Sequence, residues 1–481
     1  MNGLRLSDIL RRDVPSDPVI TGVTSDSRRV EAGTLFAALP GAQADGRAFI
    51  PQALAKGAAA ILAPQDTPEG AAPLLVRSGD VRRAYALAAR SFYGAQPKTC
   101  VAVTGTNGKT SVAAFCRQIW TRLGHKAASM GTLGVVAGDM ALTGPGLTSP
   151  DAADAARLMH ELSRLGVTHA ALEASSHGLD QRRLDGVSLS AAAFTNLTQD
   201  HLDYHGTLEA YRAAKLRLFD TLLARGKTAV LNADSDAYGV FASAGIVSGL
   251  SVMGVGERGR DLTLVARRPD PKGQRLTIEA EGRSYDVMLP LVGDFQASNV
   301  LVAAGLCIAG GEAVEEVLGA LEHLQGAEGR LERVEGPGPG SVYVDYAHTP
   351  DGLETVLRAL RPHAEGRLLV VFGCGGDRDR GKRPLMGRIA HDLADVAILT
   401  DDNPRSEDPA AIRAEARGDL TGLIEIGDRR QAIRHAVSLL ESGDVLVVAG
   451  KGHEQGQIVG GQTFSFDDAD EVRQALAGAA G

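Results

Sequence analysis

The stretch Val-Thr-Gly-Thr-Asn-Gly-Lys-Thr occupies residues 103–110 of the 481-residue chain. A run rich in β-branched residues leads into it, which predicts a strand over residues 99–104, and a helix is predicted over residues 109–123. Glycines permit a tight turn, and the backbone N–H groups of such a turn at a helix N-terminus bind anions. The sequence therefore predicts a loop that binds the phosphates of a nucleotide.

This loop departs from the usual phosphate-loop pattern, because Val103 stands where a first glycine is expected. The alternative interpretation is a surface glycine turn before a helix, but the strand, the lysine and the threonine are all in place. In such loops the lysine contacts the β- and γ-phosphates, and the threonine hydroxyl binds magnesium. We expect ATP as co-substrate and Mg²⁺ as cofactor. The candidate ATP-binding residues here are Gly105, Thr106, Asn107, Gly108, Lys109 and Thr110.

Predicted strands and helices alternate on both sides of the loop, which indicates an α/β fold with mostly parallel sheets. A β-rich antiparallel stretch is predicted over residues 262–291, with a helix after Asn299. We predict three domains. They are an N-terminal α/β domain (1–97), a central P-loop domain with a mostly parallel sheet (98–327) and a C-terminal Rossmann-like, doubly wound domain (328–481).

The composition excludes several classes of protein. The chain has 50 Lys and Arg residues against 59 Asp and Glu residues, and a net charge of −9 argues against a nucleic-acid partner. Its four scattered cysteines form no C-x-x-C pair, so zinc and redox motifs are unsupported. The N-terminus lacks the apolar core of a secretion signal, and no stretch is apolar enough to insert into a membrane. We expect a cytoplasmic protein.

Acidic and histidine residues follow two of the predicted strands. Glu173 ends one strand, and Asp200 and His201 follow the next. The C-terminal ends of parallel strands line the ligand crevice, so Glu173 and His201 are candidate ligands for a magnesium ion shared with ATP. For Asp200 alone, a turn or capping role is the favoured interpretation. Lys215, considered by itself, is typical of an exposed helix lysine.

Four stretches in this order resemble the Mur ligase family. They are Gly-Thr-Asn-Gly-Lys-Thr (105–110), Glu-Ala-Ser-Ser-His-Gly-Leu (173–179), Asn-Leu-Thr-Gln-Asp-His-Leu-Asp-Tyr-His-Gly (196–206) and Asp-Tyr-Ala-His-Thr-Pro (345–350). The resemblance spans nearly the whole chain. It implies three domains that bind a UDP-sugar, ATP and an amino acid. It also implies that Lys215 is carbamylated and binds magnesium with Thr110, Glu173 and His201, and that Lys109, Lys215, Glu173 and His201 are catalytic.

The resemblance extends to residues that contact the substrates. For ATP it implies Asn299, Arg330, Asp345 and His348 in addition to the loop. For the UDP-linked substrate it implies Ser27, Thr148, Ser149, Ser175, Gln181 and Arg183. Two positions depart from the family pattern. Gln296 stands where the family often has asparagine, and Ser149 stands where a second threonine is common.

The segment Asp402-Asn403-Pro404-Arg405 follows the predicted strand over residues 396–400. By itself Arg405 is typical of a solvated loop arginine. Diaminopimelate differs from lysine by an extra distal carboxylate, which a guanidinium can bind through two parallel hydrogen bonds. The family's diaminopimelate enzymes resemble this chain in that segment. The resemblance implies a meso-diaminopimelate site formed by Arg378, Asp402, Asn403, Pro404, Arg405, Gly450 and Glu454.

The activity implied by the resemblance is ATP-dependent ligation of meso-diaminopimelate to the D-glutamate of UDP-N-acetylmuramoyl-L-alanyl-D-glutamate, through an acyl phosphate, in peptidoglycan synthesis. We expect a monomer whose C-terminal domain closes during the reaction. Lysine-adding and D-alanyl-D-alanine-adding ligases and folylpolyglutamate synthases are alternatives in the same superfamily. A nucleotide-switched binding protein without ligase chemistry is an alternative of another class.

Overall fold

The computed structural model describes residues 3–41, 44–138, 140–142, 148–270 and 273–479. The chain divides into two compact units. The first comprises residues 1–263 and 301–317, and the second comprises residues 264–300 and 318–481. Among the described residues, no helix is both long enough and apolar enough to cross a membrane. The three domain boundaries given above stay predictions.

The first unit begins with a four-stranded parallel sheet, in the order β3-β4-β5-β6, and an antiparallel pair, β1 and β2. The strands are β1 (Leu4–Arg5), β2 (Val19–Ile20), β3 (Gly22–Thr24), β4 (Thr34–Ala37), β5 (Ala60–Pro64) and β6 (Leu75–Ser78). The helices are α1 (Leu6–Leu10), α2 (Ile50–Ala55) and α3 (Val81–Tyr93). Helix α3 ends at its C-cap, Gly94, whose φ of +79° favours glycine.

A larger sheet in the first unit carries the phosphate loop. Its order is β10-β9-β8-β11-β7-β12-β13-β14, parallel from β8 to β14, with β9 and β10 antiparallel. The strands are β7 (Thr99–Thr104), β8 (Ala127–Gly131), β9 (Gly134–Ala137), β10 (Met140–Leu142), β11 (His169–Glu173), β12 (Ala191–Phe194), β13 (Thr228–Asn232) and β14 (Ser251–Gly256). The helices are α4 (Lys109–Arg122), α5 (Ala152–Arg164), α6 (Ser176–Asp180), α7 (Leu202–His205), α8 (Leu208–Arg217) and α9 (Tyr238–Val247), and a π-helical turn (Leu218–Leu222) follows α8.

Three elements carry the chain between the units, namely β15 (Leu262–Asp270), α10 (Asp294–Ala309) and α11 (Val314–Ala320). In the second unit, β16 (Gly273–Ala280) and β17 (Arg283–Leu289) form the predicted antiparallel pair. The predicted helix exists, but the prediction that it begins after Asn299 is wrong. Helix α10 begins at Asp294, which places Asn299 inside the helix.

The second unit contains a six-stranded sheet in the order β18-β19-β23-β20-β21-β22, parallel except for the first pair. Its strands are β18 (Glu332–Val334), β19 (Ser341–Asp345), β20 (Leu368–Cys374), β21 (Val396–Asp401), β22 (Ile424–Glu425) and β23 (Val445–Ala449), followed by the hairpin β24 (Gly456–Val459) and β25 (Gln462–Ser465). Its helices are α12 (Pro350–Leu360), α13 (Lys382–Leu393), α14 (Pro409–Arg417), α15 (Arg429–Ser438) and α16 (Asp468–Ala479).

Alternate residues of β20 show that helices cover both faces of this sheet. Leu368, Val370 and Phe372 pack in one cluster with residues of α12, α13 and α14. Leu369 and Val371 pack in the other cluster with residues of α15 and α16. Because successive strand residues point to opposite faces, the sheet is doubly wound. The predicted α/β fold class is confirmed.

The four cysteines are all free thiols buried in the fold. Burial raises the pKa of Cys100 and of Cys374 to about 12, and it also raises the pKa of Cys307. Because the thiolate is the reactive form, we expect the native protein to react very slowly with an aromatic disulfide reagent at pH 8. Four thiols should react in denaturant. Rapid reaction of a native thiol would contradict this packing.

Candidate functional site

The phosphate loop, residues 105–110, joins the end of β7 to the start of α4. Gly105 has a φ of +155°, and a Cβ at this position would collide with the Thr195 hydroxyl. Gly108 has a φ of +87° at the N-cap of α4. Both positions therefore require glycine, and the loop N–H groups lie at the N-terminus of a 14-residue helix.

Residues that follow β12 hold this loop in place. The Thr195 hydroxyl donates to the Asn107 carbonyl at 2.6 Å, and the Asn107 N–H donates to Oδ1 of Asn196 at 2.9 Å. The Thr106 hydroxyl donates to the Thr198 carbonyl at 3.1 Å. Sequence analysis missed these supporting residues, although Asn196 and Thr198 lie in a stretch already recognised as a motif.

Two lysines share one carbonyl of the loop. Nζ of Lys109 lies 2.9 Å, and Nζ of Lys215 lies 2.7 Å, from the Gly105 oxygen. The interpretation of Lys215 as an exposed helix lysine is wrong, because only 1% of it is exposed. Burial, and secondly the charge of Lys109, lower the pKa of Lys215 well below its ordinary value. The lowered pKa favours the neutral amine, which is the form that adds to carbon dioxide.

Glu173 ends β11 beside the loop and is 3% exposed. Its Oε2 accepts from the Thr110 hydroxyl at 3.0 Å, and its Oε1 accepts from the Thr132 N–H at 2.8 Å. A buried carboxylate beside a hydroxyl is the kind of oxygen pair that magnesium prefers. Thr132 was not predicted. Its position directly after the C-terminal end of β8 is the signal that could have found it.

Gly131 fixes the position of this carboxylate. A Cβ at Gly131 would collide with the Glu173 side chain. We expect Gly131→Ala to destabilise the protein by about 1–3 kcal/mol, because the carboxylate is buried and has no room to move, and to lower the melting temperature. Gly239→Ala in α9 is the matched control, since nothing lies within 4 Å of its added Cβ. Equal melting temperatures for the two variants would contradict this packing.

Five of the six residues predicted to contact the UDP-linked substrate form one hydrogen-bonded network. Its links are Thr132–Thr148 (3.1 Å), Ser149–Ser175 (3.0 Å), Ser149 to the Glu173 carbonyl (3.0 Å), Arg183 to the Ser149 carbonyl (2.6 Å) and Arg183–Gln181 (2.8 Å). The network joins the end of β11 to the start of α6. The sixth residue, Ser27, instead donates to Gln52 at 2.9 Å.

His201 adopts a left-handed conformation with a φ of +52°, and its ring is about half exposed. Its N–H donates to Oδ1 of Asp200 at 2.8 Å, which agrees with the turn role favoured for Asp200. The ring lies 4.9 Å from that of His177 and 6.2 Å from that of Tyr211. Tyr211 in turn donates to Thr106 at 3.2 Å, so this aromatic group borders the phosphate loop.

The other predicted ATP contacts lie in the second unit. The Asn299 amide donates to Gln296 at 3.4 Å, and the Gln296 amide donates to the Arg330 carbonyl at 3.2 Å. The buried Asp345 carboxylate accepts from the N–H groups of Leu331 (2.7 Å) and Ala347 (2.8 Å), while the exposed His348 follows it. The Arg330 guanidinium lies 4.6 Å from the Tyr346 ring. Asn299, Arg330 and Asp345 are therefore neighbours.

The segments after β21 and β23 meet in the second unit. The Asn403 amide donates to Oε2 of Glu454 at 2.8 Å, and the fully buried Lys451 donates to Oδ1 of Asn403 at 3.1 Å. The N–H of Ile458 also donates to Oδ1 of Asn403 at 2.9 Å. The structure thus brings together Asn403 and Glu454, both predicted, with Lys451, which sequence analysis missed.

Arg405 has a left-handed backbone with a φ of +53°, and its Nη1 donates to the Gly376 carbonyl at 2.7 Å. It is half-buried rather than solvated. A Cβ at Gly375 would lie 2.9 Å from Nη1 of Arg405 and 3.9 Å from Cγ of Arg378. Both predicted arginines therefore flank the same glycine.

Asp402 has an unsatisfied acceptor in the same region. Its buried Oδ2 has no hydrogen-bond partner among the described residues. A Cβ at Gly450 would lie 2.6 Å from this oxygen, so a glycine is needed there. A buried carboxylate oxygen without a partner is costly unless a donor reaches it, which makes it a candidate contact for a ligand ammonium group.

A separate cavity of about 580 Å³ in the first unit contains none of the predicted side chains. Arg11, Arg12, Arg90 and Asp185 are among its lining residues. The phosphate loop and its neighbours make a more specific site than this cavity, because their glycines, lysines and carboxylate converge on a single turn.

Three family models match successive parts of the chain. Residues 19–93 match the Mur ligase family, catalytic domain; residues 103–307 match the Mur ligase middle domain; and residues 329–452 match the Mur ligase, glutamate ligase domain. A protein of Caulobacter vibrioides named UDP-N-acetylmuramoyl-L-alanyl-D-glutamate--2,6-diaminopimelate ligase is 66% identical over 98% of this chain and 99% of its own length. The chain belongs to the Mur ligase family. The resemblance drawn from the motifs is confirmed.

Solved structures agree with this Mur ligase assignment. A structure of a UDP-N-acetylmuramoyl-L-alanyl-D-glutamate--2,6-diaminopimelate ligase is 34% identical, covers 100% of both chains and superposes with a TM-score of 0.77. The MurF ligase of Thermotoga maritima in complex with ADP is 18% identical and covers 98% of both chains with a TM-score of 0.62. The second likeness concerns the fold alone. The three-domain Mur ligase architecture is thereby confirmed.

Proposed function

We propose that this Mur ligase joins meso-diaminopimelate to the D-glutamyl carboxylate of UDP-N-acetylmuramoyl-L-alanyl-D-glutamate, with hydrolysis of ATP to ADP and phosphate. The reaction is a cytoplasmic step of peptidoglycan synthesis, and the enzyme acts as a monomer. The observation that carries the proposal is the pair of arginines, Arg378 and Arg405, beside Gly375 in the segments after β20 and β21. The shared name of the similar ligases supports the same substrate.

In the first step the D-glutamyl carboxylate attacks the γ-phosphorus of ATP. The bond to the β–γ bridging oxygen breaks, ADP leaves, and an acyl phosphate forms. Lys109 and the loop N–H groups position the phosphates and neutralise the charge that develops on them. The network of Thr148, Ser149, Ser175, Gln181 and Arg183 orients the end of the UDP-linked substrate.

Magnesium, when bound, neutralises charge on the transferring phosphoryl group. Thr110, Glu173, carbamylated Lys215 and His201 would hold it. The fit rests on the 3.0 Å contact between the Thr110 hydroxyl and the Glu173 carboxylate, which are both buried. The neutral Lys215 amine can add to carbon dioxide and lose a proton, which gives a carbamate and a further oxygen ligand.

In the second step the amine of diaminopimelate attacks the carbonyl carbon of the acyl phosphate. Phosphate leaves, and the amine loses a proton as the amide forms. Arg378 and Arg405 bind the distal carboxylate through charge-assisted hydrogen bonds. Asp402 and Glu454 accept from the distal ammonium group, and Gly450 leaves room for it. Asn403 and Pro404 shape the turn that presents Arg405.

Phosphate release, measured with each substrate omitted in turn, tests the proposal. We expect release only when ATP, the UDP-muramoyl dipeptide and meso-diaminopimelate are all present. LL-diaminopimelate and lysine serve as matched amino acids, and the product is identified by mass. Equal rates with lysine would replace the substrate assignment by that of another ligase of this family. ATP binding without phosphate release under any combination would favour a nucleotide-switched binding protein.

A further inference from the structure

Two histidines and a glutamate meet at the end of the large sheet away from the phosphate loop. Nε2 of His125 lies 3.1 Å from Oε1 of Glu312, and Nε2 of His169 lies 3.5 Å from the same oxygen. All three candidate ligand atoms lie within 4.8 Å of one another. His169 begins β11 and Glu173 ends it, so the Cα atoms of these two residues are roughly 13 Å apart at ~3.3 Å per residue.

We propose that His125, His169 and Glu312 bind a divalent transition-metal ion of the Zn²⁺ type, separate from the nucleotide site. Two imidazoles and one carboxylate are a ligand set that zinc takes in proteins, with water completing a tetrahedron. Ligand atoms of such an ion lie ~2.0–2.1 Å from it and hence about 3.3 Å from one another. The two histidine–glutamate separations, 3.1 and 3.5 Å, are close to that value.

The neighbours of His169 orient it as a ligand. Nδ1 of His169 lies 2.8 Å from the Thr168 hydroxyl, and that hydroxyl lies within donating distance, 3.3 Å, of the Lys126 carbonyl. If the hydroxyl donates to the carbonyl, Nδ1 carries the ring proton and Nε2 directs its lone pair toward Glu312. Metal-binding histidines almost always donate their second ring N–H in this manner.

An ordinary ion pair explains the cluster less well. Such a pair would join one imidazole to the Glu312 carboxylate, whereas Nε2 atoms of both histidines lie within 3.5 Å of the same oxygen, Oε1. The centroids of the two imidazole rings lie only 4.0 Å apart, so two protonated rings would repel each other. A cation between the three groups removes this conflict.

The elements that carry the ligands suggest what the ion does. His125 follows α4, whose first residue is Lys109, and Glu312 follows α10 after a turn at Gly311. The ion would join the end of α4, the start of β11 and that turn. His125 is one-third exposed, which leaves a path for the ion to enter. We therefore assign the ion a stabilising role rather than a catalytic one.

Zinc titration of the full-length, metal-free protein tests the inference by calorimetry. Excess Mg²⁺ and saturating ADP occupy the nucleotide site during the titration. We expect one zinc equivalent, a raised melting temperature, and binding at least about 100-fold weaker in His125→Gln and in Glu312→Gln. Thr168→Val should weaken binding by roughly 10- to 100-fold, because it removes the group that orients His169.

Two control variants separate this cluster from other histidines. His391→Asn removes an exposed histidine that pairs with Asp392, and His201→Asn removes the histidine beside the phosphate loop. Both should bind zinc as tightly as the parent protein. Binding that His201→Asn abolishes and His125→Gln preserves would overturn the inference, as would the absence of stoichiometric binding. Anomalous diffraction at the zinc edge should place the ion between the three side chains, whether or not the ligase activity proposed above is found.

Discussion

Lys109→Ala is expected to reduce phosphate release by about 100- to 1,000-fold or more, since a positioned donor to the developing phosphoryl charge is lost. The lysine also acts on its neighbour. Its charge contributes to the low pKa of Lys215, so its removal should favour the protonated amine and disfavour the carbamate. Steady-state kinetics should therefore show a lower kcat at saturating substrates. The KM for diaminopimelate should change little.

The control for this variant is Lys227→Ala, because Lys227 is exposed in the same unit and lies just before β13. Its kinetics should match those of the parent protein. Lys109→Arg tests whether charge alone suffices. We expect it to recover little activity, because a planar guanidinium does not reproduce the compact point charge of the lysine ammonium group. Near-normal turnover by Lys109→Ala would show that residues 105–110 are not the phosphate site.

Removing the Arg405 guanidinium should weaken the use of meso-diaminopimelate far more than that of the other two substrates. Loss of one partner of a desolvated, hydrogen-bonded charge pair costs about 2–5 kcal/mol, which corresponds to a decrease of roughly 30- to 5,000-fold in kcat/KM. The KM values for ATP and for the UDP-linked substrate should change less than about twofold, since the Arg405 side chain hydrogen-bonds to the carbonyls of Gly376 and Asn403 and to no residue assigned to either substrate. The preference for meso-diaminopimelate over lysine should decrease together with the kcat/KM for meso-diaminopimelate.

The backbone of Arg405 determines which substitution is informative. Its φ of +53° favours glycine, so alanine would add backbone strain to the loss of the side chain. Arg405→Gly removes the guanidinium without that strain, and agreement between the glycine and alanine variants would assign the effect to the side chain. Arg434→Ala, an exposed arginine of the same unit, is the control. Equal losses for all three substrates would contradict a specific role in binding the amino acid.

Much of the fold could be predicted because local signals and tertiary structure agree. Strand β7 has the predicted bounds and helix α4 has the predicted start, since a β-branched run and a glycine turn mark where the strand ends and the helix begins. Strands β8 and β14 were missed because Ala-Ala-Ser-Met-Gly and Ser-Val-Met-Gly-Val-Gly have little β-propensity. These two segments form strands because they pair with the neighbouring strands β11 and β13, and a local sequence pattern contains no information on such pairing.

The residues of the candidate site likewise fall into two groups, those that the sequence predicts and those that depend on tertiary packing. The phosphate loop and Glu173 follow from the rule that ligands bind at the C-terminal ends of parallel strands. The burial of Lys215 could not be predicted, because it depends on the packing of α8 against the loop carbonyl of Gly105. The partnership of Asn403 with Lys451 and Glu454 joins segments about fifty residues apart and likewise has no local signal.

Strand β11 is only five residues long, pairs with β7 on one side and β8 on the other, and is buried throughout. Side chains alternate between its two faces, so one additional or missing residue would reverse the face of every side chain beyond that point. Glu173 would then turn away from Thr110, however well the new residue packed. By comparison, we expect the strand to tolerate conservative replacement of its small alanines. Evolutionary insertions and deletions should therefore be excluded from this segment, whereas substitutions need not be.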